Sequence, residues 1–278
     1  MRLLSKRYLV LLVAGLIASS AGVAFAQRGG FRDFGRLLGG GSGTAPQEFP
    51  DANFVICRLL YPEGRRFEGG WRTDYPLGER NLSIRFSELT RTRVSKASDG
   101  SPNHYLVRIT DDQLFQCPLL MAGDISSMSL SPEEATRLRT YLLKGGFLWT
   151  DDQWGTVEWE SWLAELAKIV DPVEYPMVDV PITDPIFNTQ FVVEKMPQIP
   201  NIQHWRRAHT TSEQGADSAT PHLSAVRDHS GRIMIVSTHN TDIADAFERE
   251  GEDPDYFYNF GSIGYALGVN ILLHALTH

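Results

Sequence analysis

Three groups of side chains in this sequence have the types and spacing that site chemistry requires. The first is Asp151-Asp152, directly after the apolar run Phe147 to Thr150 and just ahead of Trp154-Gly155. Paired carboxylates could share a proton and act as acid and base, or ligate a hard cation such as Mg²⁺ or Ca²⁺. An Asp after a strand also commonly caps the following helix or bonds loop amides. Neighbours on a strand point to opposite faces, so the pair is expected to divide, with at least one member facing a crevice. The second group is His239, Asn240, Asp242 and Asp245, just past another apolar run. Histidine and carboxylates so placed could build a metal site or a base with an orienting partner, or an Asx-rich loop that satisfies its own backbone. The third is Trp71, Arg72, Asp74 and Tyr75. An aromatic beside Arg and Asp suits a sugar ring or a carboxylated ligand, and equally a loop pinned by a Trp plug.

Sorted by role, the candidates are Asp151, Asp152 and His239 for catalysis. Trp71, Arg72, Asp74, Tyr75, Asp124, Trp154 and Asn240 are candidates for ligand binding. Asp152, His239, Asp242 and Asp245 are candidates for a metal. No cofactor motif is recognisable, and a divalent metal is the one cofactor that these acids could hold.

The elements that must position them alternate between strand and helix. Asn53 to Leu60 is an almost continuous apolar run, the pattern of a strand buried on both faces. Leu82, Phe86 and Leu89 recur at helical spacing, so Glu79 to Arg91 is expected to be an amphipathic helix. Tyr105 to Ile109 alternates like an exposed or edge strand, and Cys117 to Ala122 is a second buried strand closed by Gly123-Asp124. Ser131-Pro132-Glu133-Glu134 is a helix start with a capping box, stopped at Gly145-Gly146. Phe147 to Thr150 is the third core strand, and Trp159, Trp162, Leu163, Leu166 and Ile169 mark the next helix. Leu223 to Asp228 and Arg232 to Ser237 are two strands joined at Ser230-Gly231. Asn201 to Pro221 reads as a polar loop, and a final helix covers about Ile263 to Leu276. The order predicts an α/β fold, a three-layer sandwich around a mostly parallel sheet. Its ligands would sit beyond the carboxyl ends of the strands.

The N-terminus carries its own pattern. Arg2, Lys6 and Arg7 precede the apolar stretch Tyr8 to Val23, and Ala24-Phe25-Ala26 offers a small-x-small cleavage site. Residues 1–26 therefore read as a signal peptide and the protein as periplasmic or secreted; an uncleaved inner-membrane anchor is the lesser alternative. After cleavage no membrane span is expected. Residues 27–50, glycine-rich with GGGSG at Gly39 to Gly43, read as a flexible linker. Residues 51–278 form a single domain. The first fifty residues hold six Lys+Arg and two Asp+Glu, which leaves the domain 20 basic and 32 acidic side chains. That balance argues against a nucleic-acid partner. The two cysteines, Cys57 and Cys117, sit in apolar runs. They could form a disulfide after export or remain two buried thiols.

Several blocks together resemble the bacterial domain-of-unknown-function family 4159. They are Arg58-Leu59 with Tyr61-Pro62, Trp71-Arg72-Thr73-Asp74-Tyr75-Pro76, Arg80-Asn81 with Ser83-Ile84-Arg85, and Ser87-Glu88-Leu89-Thr90. Further along come Gly145-Gly146-Phe147-Leu148 with Asp151-Asp152 and Trp154-Gly155, then His239-Asn240 with Asp242 and Asp245, and the closing Asn270 with Ala275-Leu276-Thr277-His278. One departure is Asp184 before Pro185-Ile186-Phe187, where the family tends to have histidine. The resemblance implies a flavodoxin-like fold similar to class I glutamine amidotransferases, without an established activity, in proteins often found in the envelope. Those amidotransferases place a nucleophilic Cys at a sharp strand-to-helix turn. Here the comparable strand end offers Asp151 and Asp152, so a thiol glutaminase is not expected. The expectation is a ligand-binding or non-catalytic envelope domain whose partner is an envelope component or small ligand. The alternative is a hydrolase of a carbohydrate or peptide-like envelope substrate, working through carboxylates and His239, with or without a metal.

Overall fold

A computed structural model describes residues 42–64 and 69–277. The signal peptide expected at residues 1–26 and most of the expected linker, residues 27–41, lie outside the described residues. Eight strands form one sheet: β1 (Ser42–Thr44), β2 (Ile56–Leu60), β3 (His104–Arg108), β4 (Leu120–Gly123), β5 (Leu148–Asp151), β6 (Met177–Asp179), β7 (His222–Arg227) and β8 (Ile233–His239). Their order is β1-β3-β2-β4-β5-β8-β7-β6. From β1 across to β8 every pairing is parallel, whereas β7 runs antiparallel to both β8 and β6. Among the described residues the sheet is therefore mixed, with five parallel pairings and two antiparallel ones at this edge. The physical reason lies in the Ser230-Gly231 turn. Gly231 N–H closes it on the Asp228 carbonyl at 2.9 Å, and so short a link can only return the chain antiparallel.

Alternate strand residues enter two separate cores, one on each face. Ile56, Met121 and Trp149 join Leu82 and Phe86 of α1 (Leu77–Thr90) and Leu267, Ile271 and Leu272 of the C-terminal helix. Cys57, Leu59, Leu120 and Leu148 join Leu138 and Leu142 of α2 (Pro132–Leu143) and Trp162 and Leu166 of α3 (Gly155–Ile169). Helices thus cover both faces. The Ser131 capping box forms as its sequence indicates, with Ser131 N–H on Glu134 at 2.9 Å and Glu134 N–H on Ser131 at 3.3 Å. Among the described residues one helical stretch, Pro254–Thr277, is long and apolar enough to cross a membrane. Most of it is buried inside the protein, and its last part, α6 (Ser262–Thr277), fills one of the two cores.

Two further differences concern residues 42–44 and the stretch after Asn201. Residues 42–44, assigned to the linker, pair with His104–Leu106 and make β3 an interior strand. Phe49 continues that attachment by packing on Tyr105, ring centroids 4.8 Å apart. The polar stretch after Asn201 contains α4 (Ile202–Ala208), which Asn201 caps by accepting from Gln203 N–H at 2.9 Å. Cys57 and Cys117 form a disulfide, Cα atoms 5.9 Å apart, which ties β2 to the segment leading into β4.

Candidate functional site

Strands β2, β4, β5 and β8 end along one border of the sheet, and the candidate acids lie beyond those ends. Asp124 follows β4, Asp152 follows β5, Asn240 follows β8, and Asp74 follows the turn Gly70–Arg72. All four hold a positive φ, of 44°, 62°, 58° and 63° respectively. Asp and Asn tolerate that left-handed backbone best among non-glycine residues, so the chain turns sharply at each strand end and directs polar side chains inward.

Asp151 and Asp152 divide as the strand alternation predicts. Asp151 is fully buried; it accepts from the Thr238 hydroxyl, and its Oδ2 accepts from Ala244 N–H at 2.7 Å. It braces the loop after β8. Burial pushes it up to about 6, opposed by those donors. Asp152 has left the strand and is partly exposed. Its Oδ1 accepts from Trp154 Nε1 at 2.8 Å. Burial, then the charges of Asp124, Glu213 and Asp151, raise it well above the usual carboxylate range.

Beyond them lies an acidic cluster. One oxygen each from Asp74, Asp245 and Glu248 lie within 4.8 Å of one another. Asp74, Asp242 and Asp245 are 7 %, 1 % and 0 % exposed, whereas Glu248 and Asp152 are partly exposed. Asp74 Oδ2 and Asp242 Oδ2 have no hydrogen-bond partner among the described residues. Burial, then Asp245, Asp152 and Glu248, drive Asp74 far up, and burial with Asp74, Asp152, Asp245 and Asp151 does the same to Asp242. Asp245 is better satisfied. It accepts from Ile202 N–H at 2.7 Å, Tyr256 Oη at 3.2 Å and Arg249 Nε at 3.2 Å. Burial raises Glu248 to about 7 against the pull of Arg249. The Arg58–Glu79 pair is fully buried nearby, and the Arg58 charge partly offsets Asp74.

The other candidates are structural in their visible contacts. Trp71 is buried, with the Arg72 guanidinium 4.4 Å from its ring centroid, and Gly70 N–H donates to Asp124 Oδ2 at 2.8 Å. Asp124 also accepts from Ser126 at 3.0 Å, and burial pushes it up to about 7. Tyr75 meets His104 Nδ1 at 3.0 Å. Asn240 clamps two loops, accepting from Gly155 N–H and donating to the Thr220 carbonyl, each at 2.8 Å. His239 does not join the carboxylates. Its ring stacks on Trp159 at 4.4 Å and 8°, with Nε2 3.3 Å from the Gly155 carbonyl. The charged and ionisable groups acting on it are His222, Asp179 and Asp217. Asp184, standing where a histidine was the family tendency, caps its turn through Ile186 N–H at 3.0 Å and pairs with Arg227 at 2.7 Å.

Sequence reasoning missed Glu248, Glu213 and Arg249. Glu248 stands three residues after Asp245, where helical spacing puts such a pair on one face. That helix, α5 (Asp245–Glu248), is a single turn, too short for its period to show.

Fold and site together define an α/β domain with a largely buried carboxylate cluster beyond the parallel strand ends of a mixed sheet. The chain belongs to the family described as a domain of unknown function, DUF4159, which it matches over residues 55–276. No curated protein matches it.

Proposed function

We propose that this chain is an exported envelope domain that binds, without catalysis, a small ligand or envelope component presenting positive charge. A fold of the class I glutamine amidotransferase kind is part of the proposal. Helices on both faces of a sheet with a parallel centre support it. The observation that carries the reading is the convergence of Asp74, Asp152, Asp242, Asp245 and Glu248 from separate chain segments, their charges acting on one another. Five acids held together, with Arg249 the one cation paired directly to the group among the described residues, favour a positively charged occupant. Both cysteines are consumed in the disulfide, which fits a site without a thiol nucleophile. The hydrolase alternative placed His239 beside Asp152 and Asp242. The stack on Trp159 gives that arrangement no support. Export is proposed from the N-terminal pattern alone.

Calorimetric titration of the protein with glucosamine and putrescine, against N-acetylglucosamine as the ring without charge, tests the reading. Binding of the charged probes only, weakened at least tenfold by Asp152→Asn, is the expected result. Turnover of glycan or peptide substrates that Asp152→Asn abolishes would replace it with the hydrolase reading. Absence of binding by either charged probe would remove it.

A further inference from the structure

We propose that Asp74, Asp245 and Glu248 form a binding site for one hard divalent cation, Ca²⁺ or Mg²⁺, with Asp242 beside it. This rests on the reading of the acidic cluster as a ligand site and names one occupant. Three observations carry it. Oxygens from the three carboxylates lie within 4.8 Å of one another, a spacing that a small contraction converts to shared coordination at the ~2.0–2.6 Å of hard-cation ligands. Asp74 Oδ2 and Asp242 Oδ2 are buried with no hydrogen-bond partner among the described residues. An ionised oxygen in that state is costly to bury, and a cation at the cluster would supply what it lacks. Coordination capacity also remains. A carboxylate offers about four lone-pair positions, and Asp245 uses three of them, on Ile202, Tyr256 and Arg249. Glu248 pairs with Arg249 through Oε2, 2.8 Å from Nη2, so the ion pair engages one of its two oxygens.

The local chain holds the ligands at independent places. Asp74 is carried by the loop before α1, while Asp245 and Glu248 belong to α5. Helix α1 packs directly on α5, and Asn81 Nδ2 donates to the Phe247 carbonyl at 2.8 Å. Arg85 pairs with Glu250. The two ligand-bearing segments are thus clamped together by contacts that do not involve the carboxylates themselves. The donors are all oxygen, which selects hard cations over thiolate- or imidazole-seeking metals. His239 and Asp152, candidates from sequence, are not in this set. Arg249 supplies one positive charge against several carboxylates, and the cation adds two more.

The test titrates protein freed of metal by chelation with CaCl₂, MgCl₂ and MnCl₂ in turn, by calorimetry. A single saturable site with one ion per chain is expected, weakened tenfold or more by Asp74→Asn and by Glu248→Gln. Glu160→Gln, on the exposed face of α3, should leave the affinity unchanged. Both site variants remove repulsion, so in EDTA their denaturation midpoints should equal or exceed that of the parent, which shows that lost binding is not lost folding. No binding by any of the three salts at millimolar concentration would overturn the proposal, as would binding that survives both site variants. Repeating the glucosamine and putrescine titrations in EDTA separates the two readings. Ligand binding without a cation site removes only this inference, and a cation site without ligand binding removes only the preceding one.

Discussion

Asp151 and Asp152 are adjacent in sequence and opposite in their energetic roles. Asp151 is fully buried and matched, accepting from Thr238 and from Ala244 N–H. An amide there would replace a charge-assisted acceptor with a weaker neutral one. Asp151→Asn is therefore expected to lower stability by roughly 1–3 kcal/mol. Asp152 and Asp74 face other carboxylates, and an amide at either place would relieve repulsion. The amide at position 152 would still keep an oxygen for Trp154. Each of Asp152→Asn and Asp74→Asn should raise stability by about 0.5–2 kcal/mol, as removing a strained functional charge commonly does. Urea denaturation in EDTA measures all three. The assignment fails if Asp151→Asn also stabilises, or if the other two destabilise. Much of this site was legible in the sequence, because carboxylates just past apolar runs are where an α/β sheet gathers its ligands. What it hid was direction. His239 closes β8 and turns onto Trp159, and Trp71 is buried under Arg72. Neither orientation follows from residue type, since a plug and a ligand platform use the same side chains.

At the scale of elements, apolar period identified most strands and helices, and failed where pairing rather than pattern makes the strand. Ser42, Gly43 and Thr44 have no apolar alternation, yet they pair with β3. The open border of β3 supplies the hydrogen bonds, and nothing in the short segment announces it. The same limit applied to the cysteines. Their apolar surroundings suited thiols or a disulfide, and only the adjacency of β2 and the segment before β4 decides between them. That bridge closes a loop with a sequence separation of 60 residues. On the chain-entropy argument, such a loop stabilises the fold by about 4 kcal/mol relative to the open chain. Replacing both cysteines with alanine should cost about that much, read from urea denaturation with the slope fitted for each protein. The freed unfolded chain is less compact, so its slope is steeper. Because β2 and β4 also pair directly, the variant is expected to remain folded and the acidic cluster to keep its affinity. A loss below 1 kcal/mol would mean that the unfolded chain is already compact around this pair.

The whole molecule carries a net charge of −8 at pH 7, and some of its acids are buried against one another instead of spread over the surface. Its stability should therefore depend on pH in an unusual sense. Folding raises Asp124 from 3.8 to about 7 and Asp151 to about 6, in both cases chiefly by burial, and raises Asp152 and Asp242 as well. A carboxyl whose folded value exceeds its unfolded one binds more protons in the folded state between the two. Its contribution is complete below about 4 and is lost as pH rises through the folded value. Asp228, Glu250 and Glu252 are shifted the other way, by hydrogen bonds and their arginine partners. Their contribution disappears only as pH falls toward and below about 4. The two sets together place the stability maximum on the acidic side, near pH ~4, with a decline on the order of a few kcal/mol or more by pH 8. Urea midpoints in EDTA from pH 4.5 to 8 measure this directly, and Asp124→Asn should flatten the portion between about 4.5 and 7. A curve that is level or rising from pH 5 to 8 would show that these carboxylates are not held protonated by the fold. Saturating Ca²⁺ or Mg²⁺ should lift the alkaline end more than the acidic end, because a cation binds only the deprotonated ligands.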